Sequence, residues 1–174
     1  MTERQDDTLR RPAPDPVGLE SDLLIGFDAT RYPAAFFADY EALACLSASE
    51  NAETLLVLDR ASGKEYLAKC YLGESRAYGL TEAALLQKVS YPAIPRYRAE
   101  YANETMLCVV RDYIAGLPLN EYTAQTHPSP AQAVCIATQI CDILAYLHSL
   151  TPPIIHRDIK PQNIIIDEAN KVWL

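Results

Sequence analysis

The sequence predicts an α+β fold in two parts, a strand-rich first half and a helical second half joined near residues 112–118. Three observations carry this reading. Residues 53–59 and 65–71 are runs of β-formers separated by the turn Arg60-Ala-Ser-Gly63. Residues 105–110 form a short continuous apolar run of the kind found in central strands. Ser129-Pro-Ala-Gln132 is a capping box with proline at the first helical position, and it opens a long apolar periodicity.

The elements follow in order. Residues 1–20 are charged, proline-rich and poor in large apolar side chains, so they cannot bury enough surface to offset their ordering entropy and read as a disordered tail. Residues 21–39 form a segment ahead of the domain, which runs over 40–174. Strand character begins at Tyr40. A helix is expected over 81–89, with Thr81 as cap, Ala84, Leu85 and Lys88 at helical spacing, and Pro92 and Pro95 beyond its end. The second helix, over 129–150, places Ala133, Ile136, Ala137, Ile140, Ile143, Leu144 and Leu147 on one face until Pro152-Pro153 stops it. Residues 163–167 and 171–174 flank Glu168-Ala-Asn170, which predicts a β-hairpin.

Bulk properties narrow the function classes. A chain of 174 residues suffices for one domain with a core, or for a small domain and part of another. A formal net charge of −8 argues against a nucleic-acid surface, which needs a basic stripe. The five cysteines are scattered, with no C-x-x-C pair, and read as buried, reduced thiols in a cytoplasmic protein. No run approaches 18 apolar residues and the N-terminus has no signal-like apolar stretch, so no membrane segment is expected.

The chemistry concentrates in His156-Arg-Asp-Ile-Lys-Pro-Gln-Asn163, a polar loop held between apolar Ile155 and Ile164. An aspartate with a lysine and an asparagine at fixed offsets suits phosphoryl transfer. The aspartate accepts a hydroxyl proton, the lysine neutralises the moving phosphoryl group, and the amide oxygen helps hold a metal. This loop resembles the protein-kinase catalytic loop H-R-D-x-K-P-x-N at every defined position. The resemblance implies Asp158 as base, Lys160 on the γ-phosphate, Asn163 as a magnesium ligand, and serine/threonine specificity from the lysine two residues after the aspartate.

Other stretches resemble the same family in the same order. Tyr66-Leu-Ala-Lys69 is similar to V-A-I-K, implying that Lys69 contacts the α- and β-phosphates of ATP. Glu82 falls where the family places that lysine's ion-pair partner. Asp112-Tyr-Ile-Ala-Gly116 is similar to the hinge that hydrogen-bonds adenine, implying backbone contacts at Asp112 and Ile114. The resemblance further implies Leu46, Leu67 and Ile165 around the adenine. The expected architecture is a protein-kinase-like two-lobe fold: an antiparallel-sheet lobe with one main helix over about 40–112, a hinge over about 112–118, and the start of a helical lobe over 119–174. That second lobe is expected to be incomplete, because the D-F-G motif belongs just beyond residue 174.

Several positions depart from the family pattern. Ser47, Ser49 and Ala52 stand where a glycine-rich loop has its three glycines, and glycine there lets backbone amides approach phosphates. Leu67 replaces a small alanine that faces adenine, and Thr54 replaces a valine. Arg111 falls at the gatekeeper position, normally apolar or small, and a guanidinium there calls for an acidic partner. The interval from Lys69 to Glu82 is shorter than usual. The resulting expectation is a serine/threonine protein kinase acting with ATP and Mg2+ on a protein hydroxyl. The alternative is a pseudokinase or scaffold module whose degenerate loop binds nucleotide weakly.

Overall fold

The computed structural model describes residues 28–174. The tail expected over 1–20, and the first part of the segment 21–39, lie outside the described residues. Five strands form one antiparallel sheet in the order β1-β2-β3-β5-β4: β1 Tyr40–Ala48, β2 Ala52–Asp59, β3 Glu65–Leu72, β4 Tyr97–Ala102 and β5 Met106–Asp112. β2 and β3 meet at the predicted turn, where Gly63 takes the left-handed φ of +66° that favours glycine. β5 lies inside the sheet between β3 and β4, with Met106 to Val110 buried in succession because both sheet faces are covered there. β4 adds an edge that the alternation of Tyr97, Ala99 and Tyr101 with Arg98 and Glu100 encodes.

One face of the sheet packs on α1, Ala34–Asp39. Phe36 is fully buried there with Leu55, Val57, Ala68, Cys70, Met106, Cys108 and Val110. Tyr32, Tyr40 and Tyr101 surround the Phe36 ring, and such offset and edge-to-face contacts add roughly 0.5–1.5 kcal/mol a pair beyond burial. The residues just before Tyr40 are therefore a structural layer of this lobe. The opposite face packs on α2, Arg76–Lys88, through Tyr71, Ala83, Leu107 and Val109.

Two expectations are corrected in this lobe. The helix begins five residues before the expected Thr81, because a 3-10 turn at Gly73–Ser75 leads straight into it. Thr81 lies inside the helix and its hydroxyl donates to the Ala77 carbonyl, while Ala84 and Leu85 face solvent and Ala83 is buried. Nor are all five cysteines buried free thiols. The β3/β5 register sets Cys70 directly opposite Cys108, with Cα atoms 3.9 Å apart, and the two are joined as a disulfide. Cys45 is half-buried, and Cys135 and Cys141 are exposed.

The chain then passes through β6, Leu117–Pro118, and α3, Leu119–Thr126, to α4, Pro130–Ser149. The capping box at α4 forms as read: Gln132 N–H donates to Ser129 Oγ, and Ser129 N–H to Gln132 Oε1. Ile136, Ile143 and Leu147 are its buried positions, whereas Ala133 and Ala137 of the expected apolar face are exposed. α4 is long and apolar enough to cross a membrane by length and composition, which no apolar run in the sequence foreshadows. In this fold it packs on the predicted hairpin, β7 Ile165–Ile166 with β8 Val172–Trp173, which joins β6 in a three-stranded sheet. Gln139 clasps the hairpin, accepting from Val172 N–H at 3.0 Å and donating to the Asn170 carbonyl at 3.3 Å.

Asp167 organises the hairpin turn. Its carboxylate accepts from the Ala169 and Lys171 amides, each at 2.9 Å, and from the Trp173 indole at 2.8 Å. Partial burial works to raise its pKa, but these donors and the Lys171 charge outweigh that and hold it below the ordinary value. A depressed folded pKa gives stability that is present above the unfolded value of about 3.9 and is lost as pH falls through the folded one. Asp167→Asn should therefore lower the melting temperature at pH 7, and the gap from wild type should narrow as pH is brought below about 4. Thermal melts of both proteins across that range check it.

Candidate functional site

Two polar clusters form at the junction of the lobes. The first hangs from β3, where Leu67, Lys69 and Tyr71 share one face by the strand's period of two. Lys69 Nζ lies 3.3 Å from Glu82 Oε2, so the short connection between them does not prevent the ion pair. Their side chains are 37% and 26% exposed, which leaves the pair partly screened. Tyr71, which the sequence reading passed over, donates its hydroxyl to the same Glu82 oxygen. Its place two residues after the lysine, on the same strand face, was the available signal.

The second cluster is the loop after α4. Asp158 Oδ2 accepts from Asn163 Nδ2 at 2.7 Å and lies 3.0 Å from Lys160 Nζ. The Asp158 carbonyl accepts from the same amide at 2.9 Å, which fixes the orientation of Asn163 and leaves its Oδ1 as the acceptor atom. Arg157 adopts a left-handed φ of +65°, which turns the backbone between His156 and Asp158. The Lys160 ammonium, then the Asn163 amide, hold the Asp158 carboxyl below its ordinary pKa, so it is ionised at neutral pH. Burial, with the Arg111 charge, lowers His156 despite the opposing pull of Asp158. Among the described residues no group of three or more His, Cys, Asp or Glu could hold a metal by itself. Asn163 Oδ1 nevertheless suits Mg2+, which takes one or two protein oxygens and completes its shell with water and phosphate.

Between β5 and β6 runs the linking segment 112–117. Asp112 turns its side chain toward β4, paired with Arg98 at 2.6 Å and accepting from the Arg96 amide, while its own amide donates to the Arg96 carbonyl at 3.0 Å. Ile165, on β7, pairs with Pro118 and Trp173. Leu67 stands across from Leu56 on β2 and Arg111 on β5. Leu46 sits on β1 at a register irregularity between Cys45 and Ser47. The acidic partner expected for Arg111 is not found: its Nε is buried with no hydrogen-bond partner among the described residues.

The β1–β2 turn closes without glycine. None of Ser47, Ser49 and Ala52 has positive φ. Ser49 Oγ instead accepts from the Ala52 and Asn51 amides at 3.1 and 3.4 Å, and the Ser49 amide bonds the Ala52 carbonyl at 2.9 Å. The Asn51 carbonyl is taken by the Leu72 amide and by the Ser75 hydroxyl. Amides that a glycine-rich loop presents to phosphates are here engaged within the turn.

Comparison with known proteins gives one family. Residues 46–174 match the family described as Protein kinase domain. Protein kinase 3 of Dictyostelium discoideum is 32% identical over 144 residues, covering 78% of this chain and 16% of its own length. Serine/threonine-protein kinase pkpA of Phycomyces blakesleeanus is 36% identical over 51% of this chain and 15% of its own. Human mitogen-activated protein kinase kinase kinase 11 is 37% identical over 49% of this chain and 10% of its own. The chain thus spans about a sixth or less of the length of these relatives. A crystal structure of Rad53 1-466 in complex with AMP-PNP superposes with a TM-score of 0.70 at 24% identity, covering 80% of this chain and 38% of that one, and shares its fold.

Gly116 fixes the distance between hinge and hairpin. A Cβ there would lie 2.5 Å from the Ile166 carbonyl oxygen, a backbone atom that cannot swing aside. Gly116→Ala should destabilise the fold by about 1–3 kcal/mol, the usual range for overpacking, in denaturant titration.

Proposed function

The chain belongs to the protein kinase domain family, and from that premise we propose that it carries the nucleotide-binding and catalytic-loop part of a serine/threonine kinase. The reaction is transfer of the γ-phosphoryl group of ATP to a serine or threonine hydroxyl of a protein. The observation that carries this reading is the Asp158–Lys160–Asn163 cluster, an ionised carboxylate flanked by a cation and an oriented amide. The names of several relatives, which call them serine/threonine-protein kinases, support the acceptor class. We propose with it a cytoplasmic location, where ATP and Mg2+ are supplied and where a disulfide such as Cys70–Cys108 is rare.

Each residue has a step to perform. Asp158 accepts the proton of the attacking hydroxyl as its oxygen bonds to the γ-phosphorus and the bond from phosphorus to the β–γ bridging oxygen breaks. Lys160 neutralises charge on the transferring group from its place beside the Asp158 carboxylate. Asn163 Oδ1 would hold Mg2+, which supplies charge neutralisation on the phosphates when bound. Lys69 positions the α- and β-phosphates, with Glu82 holding the lysine. The backbone of Asp112 and Ile114 takes the adenine edge, and Leu46, Leu67 and Ile165 cover its faces.

A second reading has its own observation. The turn amides held by Ser49 favour weak phosphate binding, as in a pseudokinase or scaffold module. Calorimetry with ATP, with and without Mg2+, beside a transfer assay separates the two: nucleotide binding without any transfer supports the scaffold. On the kinase reading, Asp158→Asn should cut transfer by roughly 10²–10⁴-fold. Nucleotide affinity should hardly change, since this carboxylate faces the acceptor hydroxyl. Transfer at the wild-type rate would remove Asp158 as the base.

Leu67 tests the adenine side. It carries three more carbons than the alanine usual in the family, and overpacking costs about 1–3 kcal/mol. Leu67→Ala should tighten ATP binding, by roughly tenfold for each 1.4 kcal/mol relieved. If calorimetry shows weaker binding, leucine fills its site properly and the overpacking idea fails.

A further inference from the structure

Tyr71 is 6% exposed and lies in the cluster that joins the sheet to α2. Its hydroxyl donates to Glu82 Oε2, the oxygen that also faces Lys69 Nζ at 3.3 Å. The same ammonium stands 4.9 Å from the Tyr71 ring centroid. Glu82 is therefore held between a cation and a phenol. The ring has a seat made for it on α2. A Cβ at Gly79 would come within 2.5 Å of Tyr71 Cδ2 and 2.9 Å of Leu107 Cδ2. Gly79 precedes Glu82 by three residues, so the two are neighbours on one helix face. Glycine inside a helix is unfavourable relative to alanine, and here its missing side chain is the space the ring fills.

We propose that Tyr71 is a positioning residue: seated against Gly79, it tethers Glu82 to β3 and so keeps Lys69 aimed at the nucleotide phosphates. The role rests on the kinase reading above. An ion pair as exposed as Lys69–Glu82 contributes little by itself to holding a helix in place. A hydrogen bond to a charged group from a buried phenol contributes more. Burial first, then the Glu82 carboxylate, push the Tyr71 phenol far up despite the opposing Arg111 charge, so it remains a donor throughout the neutral range.

The test uses the protein expressed from its full reading frame, as wild type, Tyr71→Phe, Glu82→Ala, the double variant and Gly79→Ala. Amide exchange over Arg76–Lys88 without nucleotide reads the tether independently of catalysis. Tyr71→Phe keeps the ring and loses only the hydroxyl, so exchange should quicken about tenfold or more, and adding it to Glu82→Ala should quicken it no further. kcat/KM for ATP should fall about tenfold in Tyr71→Phe, and the melting temperature should fall by no more than the loss of one hydrogen bond to a charged group brings. Gly79→Ala, which helix propensity alone would make stabilising, should also lower kcat/KM because its methyl displaces the ring. Exchange at the wild-type rate in Tyr71→Phe, or an equal increment on top of Glu82→Ala, overturns the tether. Quickened exchange in a protein that transfers no phosphoryl group upholds the tether and overturns the kinase reading.

Discussion

The alternation of β3 is the constraint on which the rest depends. Ala68 and Cys70 point into the core under Phe36, while Leu67, Lys69 and Tyr71 point the other way, toward α2 and the junction of the lobes. A slip of one residue would exchange the two sets and put an ammonium into a cluster whose members are fully buried. The strand cannot slip easily, because it pairs with β2 and β5 over its full length. Core packing on one face thereby determines where the lysine stands on the other.

That dependence explains the weight carried by α1. Its Phe36, with Tyr32 and Tyr40, covers the sheet face opposite α2, so Leu55 and Val57 of β2, Ala68 and Cys70 of β3, and Met106, Cys108 and Val110 of β5 are buried beneath it. Polar contacts clasp the same layer: Arg31 pairs with Glu53 at 3.2 Å, Asp39 accepts from the Tyr101 hydroxyl, and the Arg31 carbonyl accepts from Asn103. Each exposed pair contributes little alone. Together they close the edges of an aromatic layer whose burial supplies the main stabilisation.

The second lobe uses a different device. Its small sheet is short, and side chains rather than long ladders fix it: Gln139 from α4, Tyr122 from α3 and Asp167 within the turn. The loop from His156 to Asn163 is thereby suspended between two rigid elements, and its charged groups are ordered by one another. Arg111 stands apart from this scheme, a guanidinium whose buried Nε has no hydrogen-bond partner among the described residues and whose field reaches both Tyr71 and His156.

The local chemistry was legible in the sequence by itself. The turn at Gly63, the capping box at Ser129 and the hairpin around Glu168-Ala-Asn170 all depend on residues close in the chain, so their signals are short and specific. Glu82 as partner of Lys69 came from resemblance, and the 3.3 Å contact agrees with it. What needed the tertiary structure was everything set by packing at a distance. The start of α2 depends on how Gly73–Ser75 leaves β3, and the pairing of Cys70 with Cys108 on a register between strands 38 residues apart. The burial of α1 depends on a sheet face built from three strands distant in the chain. Tyr71 read as one more β-former, because nothing in its own segment tells of a glycine on a helix placed to receive its ring. The strand's period puts such a side chain on a face, and only the assembled distances assign its partner.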